Sequence, residues 1–168
     1  MQAMETNMKV QKLMTRPVVT CRECEPLDQV ARAMAATDCG SIPVVNRNNE
    51  ILGMITDRDI MMAASTSGQS LSEIQVAEVA DGNVYAVSPT DSVREAEKRM
   101  REHQVRRLPV VEDEKVVGII TLGDIAREAY RERRARHKAI SSDDVMQTLA
   151  AVSEPRESTA GEVGRWFA

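Results

Sequence analysis

The chain contains the same stretch twice, and this repetition limits its possible folds more than any other feature. Ile42-Pro43-Val44-Val45 returns as Leu108-Pro109-Val110-Val111, and Gly53-x-x-Thr56-x-x-Asp59 returns as Gly118-x-x-Thr121-x-x-Asp124. Pro43 and Pro109 stand 66 positions apart, as do Met34 and Met100, whereas Gly53 and Gly118 stand 65 apart, as do Asp59 and Asp124. One residue is therefore lost in between, where the polar Asn46–Glu50 becomes the shorter Glu112–Lys115. Hairpin tips tolerate such changes best, so the offset itself predicts a turn at that point. A fixed offset of this size means one supersecondary unit used twice.

Each unit has a readable pattern. Leu27, Val30, Ala31 and Met34 lie at helical spacing and predict a helix over Leu27–Ala36, stopped by Gly40. Val93, Ala96 and Met100 predict its partner over Ser92–His103. Ile42–Val45 with Ile51–Thr56, and Leu108–Val111 with Val116–Thr121, are apolar runs around polar turns and predict two hairpins. A second helix follows at Thr56 and again at Thr121. The expected fold class is α+β, each repeat running strand, helix, strand, strand, helix. A unit of about 55 residues buries too little surface alone, so the two should pack with pseudo-two-fold symmetry around a shared groove.

The expected organisation is an N-terminal segment (1–9), a first motif (10–64), a Ser- and Gly-rich linker (65–75), a second motif (76–130), and a basic helix extension with a helical tail (131–168). In the tail, Ser142 should cap a short helix whose apolar face is Val145, Met146, Leu149 and Val152, ending before Pro155. Trp166 and Phe167 are expected to dock on the module or on a second subunit.

Composition narrows the function. No run reaches the ~18 apolar residues of a membrane span, and the N-terminus lacks an apolar signal core, so a cytoplasmic chain with no membrane partner is expected. The net charge of −4 argues against a dedicated nucleic-acid binder. Residues 126–138 nonetheless carry six Lys or Arg against two Glu, and residues 139–168 two Arg against five acids. These opposed signs suggest self-contact as readily as an external partner, with Arg127–Lys138 read as a solvated extension of the last motif helix. Three cysteines cannot close a disulfide framework. Cys21-x-x-Cys24 has no second pair to complete a metal site, and Cys39 reads as a small core residue. No nucleophile–base pair stands out, so no catalytic residue, metal site or enzymatic activity is expected.

Together these elements carry a resemblance. Leu13-Met14-Thr15 through Pro17 to Val18-Val19-Thr20, then Ile42-Pro43-Val44-Val45, then Gly53-x-x-Thr56-x-x-Asp59, resemble a CBS motif. Val84–Val87, Leu108–Val111 and Gly118-x-x-Thr121-x-x-Asp124 repeat it, and the pair resembles the Bateman module. That resemblance implies a regulatory cleft for an adenosine-containing ligand (AMP, ADP, ATP, S-adenosylmethionine or NAD), with no cofactor required. It implies ribose binding by Asp59 and Asp124 and phosphate contacts near Thr56 and Thr121. Adenine enclosure would fall to Thr15, Val19, Ser41 and Ile42 with the first site, and to Arg107 and Leu108 with the second. It also implies a homodimer and a separate target protein.

The chemistry is sound without the family. An ionised carboxylate accepts both hydrogen bonds of a cis-diol, a helix N-terminus favours phosphate, and Arg58, Arg106 and Arg107 offer bidentate forks. The competing reading is structural, because Thr-x-x-Asp before an apolar run is also a capping box. The second repeat departs from the pattern, with Ala80-Asp81 in place of Met14-Thr15 and Ala86 in place of Thr20. Rival functions are a homodimerisation or partner-docking module without ligand, a thiol redox protein, and a binder of nucleic acid through Arg127–Lys138.

Overall fold

The computed structural model describes residues 8–135 and 138–155. The first half runs β1 (Cys21–Arg22), α1 (Leu27–Thr37), β2 (Ser41–Val45), β3 (Ile51–Thr56) and α2 (Asp57–Thr66). The second runs α3 (Val93–His103), β4 (Arg107–Glu112), β5 (Lys115–Thr121) and α4 (Leu122–Glu132), and α5 (Ser142–Ser153) follows. β1 is parallel to β2, and β2–β3 and β4–β5 are antiparallel hairpins. Where the first half has β1, the second has a single parallel bridge from Val87 to Val110.

The deleted residue lies at the hairpin tip. Glu112 pairs with Lys115 around Asp113 and Glu114, both at positive φ (48° and 65°), which makes a two-residue turn of the primed kind. The longer tip is held by the Asn46 side-chain oxygen, which accepts from the N–H groups of Asn48 and Glu50. The tips meet: Ile51 N–H donates to the Glu114 carbonyl, and Val116 N–H to that of Asn49.

α1 and α3 both end on a left-handed residue, Asp38 at φ 51° and Gln104 at φ 50°, so the helix stop falls two residues before Gly40. The short polar side chain of Asp38 tolerates that conformation, and Gln104 adopts it as well, so no glycine stands at either stop. Gly40 is small for another reason, since a Cβ there would stand 2.8 Å from Asp57 Oδ2.

The cores are not the two contiguous units that the repeat suggests. Val10 and Met14 are buried in the core of the second half, with Val93, Met100, Leu108, Ile120 and Ile125. Ile74 and Val76, with Leu71 at the edge, complete the core of the first half with Leu27, Val30, Ile42 and Ile55. Each repeat has exchanged its leading arm with the other. The bonds that seat the arms match pairwise: Val10 N–H to Asp91 carbonyl against Val76 N–H to Glu25 carbonyl, and Gln11 N–H to Pro89 carbonyl against Ala77 N–H to Glu23 carbonyl. Farther along, Thr15 bridges to Ile119 on β5 and Asp81 bridges to Met54 on β3.

This exchange gives the motif glycines their role. A Cβ on Gly53 would lie 2.4 Å from the Asp81 carbonyl oxygen, and one on Gly118 would lie 2.7 Å from Met14 Sδ and 3.2 Å from the Thr15 carbonyl. The strand must be bare where the foreign arm crosses it.

α5 is present and is capped by Ser141; Val145 and Val152 of the expected face pack inward, but Met146 and Leu149 do not. Met146 and Leu149 are 68 % and 52 % exposed, while Thr148 is fully buried. The reason is polar: the Thr148 hydroxyl donates to the Asp144 carbonyl and accepts from Arg101 of α3 at 2.7 Å. The basic extension does not continue as helix. α4 stops at Glu132, whose carboxylate accepts from the N–H groups of Ala139 and Ile140 and turns the chain back. Among the described residues an ion pair reaches α5 from Arg94 on α3, to Asp144 at 3.7 Å, and none does so from the basic stretch. No helix among the described residues is long and apolar enough to cross a membrane. Arg136, His137, Trp166 and Phe167 lie outside the described residues.

Candidate functional site

Two equivalent turns, Thr56–Asp59 at the start of α2 and Thr121–Asp124 at the start of α4, form the centre of the site. Both are complete capping boxes. Asp59 Oδ2 accepts from the Thr56 N–H at 2.9 Å and hydroxyl at 2.6 Å, and Asp124 Oδ2 accepts from Thr121 at 2.9 and 2.7 Å. One oxygen of each carboxylate is thus committed to its own helix, which satisfies end groups the helix cannot pair itself. The second oxygen differs between repeats. Asp124 Oδ1 is ion-paired with Arg127, whereas Met62 takes that place in the first repeat.

The Thr121–Asp124 turn separates two cavities. One, of about 510 Å³, is lined by Thr121, Leu122, Arg106, Arg107 and the α5 residues Val145 and Leu149. The other, of about 420 Å³, is lined by Asp124, Lys12, Arg127 and Arg131. In the first repeat, Asp57 lines a cavity of about 640 Å³ along α1 and α2, with Ala31, Met34, Ala35, Met61 and Ala64. Arg107 reaches this cavity too, its guanidinium 3.5 Å from where a Gly40 Cβ would be.

The remaining candidates are more scattered. Ser41 pairs with Thr56 across β2–β3, and its hydroxyl is buried without a partner among the described residues. Arg58 is exposed on the first turn of α2. Thr15 does not join Thr56 and Asp59; its bridge to Ile119 puts it two residues from Thr121, and Asp81 takes the matching place beside Thr56. The arm exchange causes this crossing of partners. Ile42 and Leu108 are wholly buried in the two cores and offer only backbone to a ligand. Val19 is 39 % exposed and Thr20 half-buried, on the strap between Thr15 and β1. The pattern of residue types did not single out Lys12 or Arg127; setting each against its counterpart, Glu78 and Met62, would have done so.

The thiols are not gathered. Burial, with Glu25 adding to it, pushes the Cys21 thiol up to about 12. Cys24 is exposed, and Cys39 is half-buried and packed at the edge of the first core, with its sulfur 3.2 Å from the Thr37 hydroxyl. Among the described residues no three His, Cys, Asp or Glu side chains converge as metal ligands would.

Two arm-exchanged units of strand, helix, hairpin and helix, each carrying a Gly-x-x-Thr-x-x-Asp turn, define a tandem regulatory-type pair. The chain belongs to the CBS domain family, whose profile matches residues 10–66 and again 76–131. It is similar to hypoxic response protein 1 of Mycobacterium tuberculosis, 38 % identical over 110 residues that span 65 % of this chain and 77 % of that one. It is also similar to the CBS domain-containing protein YhcV of Bacillus subtilis, 36 % identical over 117 residues, 70 % of this chain and 82 % of that one. Among solved structures, hypoxic response protein I with two coordinated zinc ions superposes with a TM-score of 0.66 at 34 % identity, over 71 % of this chain and 98 % of that one. The CBS domain pair of protein MJ0100, in complex with 5′-methylthioadenosine and S-adenosyl-L-methionine, gives 0.68 at 22 % identity, over 76 % and 99 %, a likeness of fold.

Proposed function

We propose that this chain senses an adenosine-containing molecule and signals to a separate target protein by rearranging a homodimer or its own C-terminal helix. The observation that carries this reading is the repeated turn. Twice, an aspartate already fixed by its capping box stands beside an exchanged arm, at a helix start suited to phosphate. The ligand would be AMP, ADP or ATP, with S-adenosylmethionine or NAD as further members of the same class. The MJ0100 pair, bound to two adenosine compounds, supports the class and not the choice within it. A ligand can shift the arrangement only through different affinities for its states, and α5 is placed to respond because it walls the Thr121 cavity.

A second reading has its own observation. On the second repeat Arg101 of α3 and Gln104 at its end bond to Thr148 and Ala151 of α5; their counterparts Ala35 and Asp38, with Ala31, Met61 and Ala64, line an open, mostly apolar groove on α1 and α2. Such a face suits a homodimer or a docked helix without any ligand.

Thermal unfolding by calorimetry against AMP, ADP, ATP, S-adenosylmethionine and NAD separates the two. A ligand at ~100 times its dissociation constant stabilises the fold by roughly 2.7 kcal/mol. The sensing reading expects such a shift with at least one compound, lost in Asp59→Ala or Asp124→Ala. No shift with any of them, in a chain that sediments as a dimer, favours the docking module.

A further inference from the structure

The two ligand turns share a backbone plan but carry opposite surroundings. Around Thr121–Asp124 stand Arg106 and Arg107 on one side, and Lys12, Arg127 and Arg131 on the other. Their counterparts in the first repeat are Gly40, Ser41, Glu78, Met62 and Thr66, none of them basic. Acids take the complementary places. Asp57 stands where the second repeat has Leu122, and Asp81 stands on β3 where Thr15 stands on β5. Arg58, facing Gly123 as its counterpart, is the one base that the first turn has and the second lacks.

Some of these charges are already used. Arg127 pairs with Asp124, Arg131 pairs with Glu128 at 3.2 Å, and Asp38 shares the cavity of Arg106. Arg107 leans toward Asp57 across Gly40. No ion pair within 4 Å involves Lys12, Arg106 or Arg107 among the described residues; Arg107 lines the cavities of both repeats, while Lys12 and Arg106 remain for an anion at the Thr121–Asp124 turn alone. At the Thr56–Asp59 turn the nearest orphan is instead the neutral, buried hydroxyl of Ser41.

We infer that the two sites are sorted by ligand charge: the Thr121–Asp124 site takes a phosphorylated adenosine, and the Thr56–Asp59 site takes an uncharged or cationic one and repels phosphate. This rests on the sensing reading above and adds to it which site holds which class. Opposite charges favour association and like charges set a penalty against the wrong ligand, so specificity comes from both. The Arg127 side chain is mostly exposed but that of Asp124 is mostly covered, so the guanidinium turns to the phosphate as ribose hydroxyls take its place on the carboxylate.

Isothermal titration of the full chain with ATP and with adenosine tests it. ATP should bind at one per chain, survive in Asp59→Ala, and be lost in Asp124→Ala. The double variant Lys12→Glu with Arg127→Met, which installs the first repeat's own residues, should weaken ATP at least ten-fold and leave adenosine within about two-fold. Should that variant fold poorly, Arg106→Gly, likewise borrowed from the first repeat and lining only the Thr121 cavity, should weaken ATP in the same selective way. ATP binding lost in Asp59→Ala and kept in Asp124→Ala overturns the sorting and leaves sensing intact, as do two equivalent ATP sites per chain. Failure of both compounds to bind overturns the sorting, and sensing falls with it where AMP, ADP, S-adenosylmethionine and NAD fail as well.

Discussion

Replacing Glu97 by Gln should make the protein more stable at pH 8 and change little at pH 4.5. Glu97 lies on α3 beneath α5, only 2 % exposed, with Oε1 buried and without a partner among the described residues. Burial pushes its carboxyl up to about 7 from an ordinary 4.5; Asp144 on α5 adds to this, and Arg101 and Arg94 oppose it. An acid whose folded value is raised binds its proton more tightly when folded. Its contribution is therefore fully present below pH 4.5, is lost as pH rises toward 7, and stays lost above. A shift from 4.5 to about 7, at 1.36 kcal/mol per unit, is worth roughly 3 kcal/mol between the two limits. Glutamine keeps the shape and cannot ionise, so the gap between variant and parent should open to about that size across this window. Urea unfolding of both proteins at several pH values between 4.5 and 8 measures it, and taking the difference removes other titrating groups. A gap that is the same at pH 5 and pH 8 would refute the assignment.

Gly53→Ala should destabilise by several kcal/mol in urea unfolding, since its Cβ meets the Asp81 backbone; Gly118→Ala should cost less, because the flexible Met14 side chain can move aside. The two being equal would mean the arms are looser than described. Ser41→Ala removes a buried hydroxyl with no partner, and should leave the ligand-free protein as stable or up to about 1 kcal/mol more so; a clear loss in thermal unfolding would reveal a bond that the fold does make. Cys24 should react with a maleimide at pH 8 well before Cys21, whose thiol is both buried and held protonated; mass mapping after brief labelling decides it.

Repetition and periodicity made the helices, the hairpins and the position of the lost residue legible, because each leaves a mark in residue type. Arm exchange leaves almost none. The arm's hydrogen bonds come from backbone, so Val10 and Val76 look like ordinary members of the repeat that contains them. Only Gly53 and Gly118 betray the crossing, and a glycine within a strand equally marks a bulge or a tight bend. That is why Thr15 is expected beside Thr56 and is found beside Thr121. The place of Thr148 on the inward face of α5 was hidden for a related reason: apolar residues such as Val145 and Val152 are expected inside, but Arg101 offers Thr148 a partner that a sequence pattern cannot anticipate. The left-handed stops at Asp38 and Gln104 likewise needed no glycine to announce them.

The clasped arms also decide what half of this molecule would be. A chain carrying one repeat alone would keep its arm and lack the arm its own core requires. It could close that core only by accepting the arm of another molecule, so the tandem chain amounts to a dimer whose two members have been joined end to end. The joining leaves short tethers: five residues separate Thr15, pinned to β5, from Cys21 in the opposite core. Any movement at the start of α4 is therefore felt as tension in the other half's backbone.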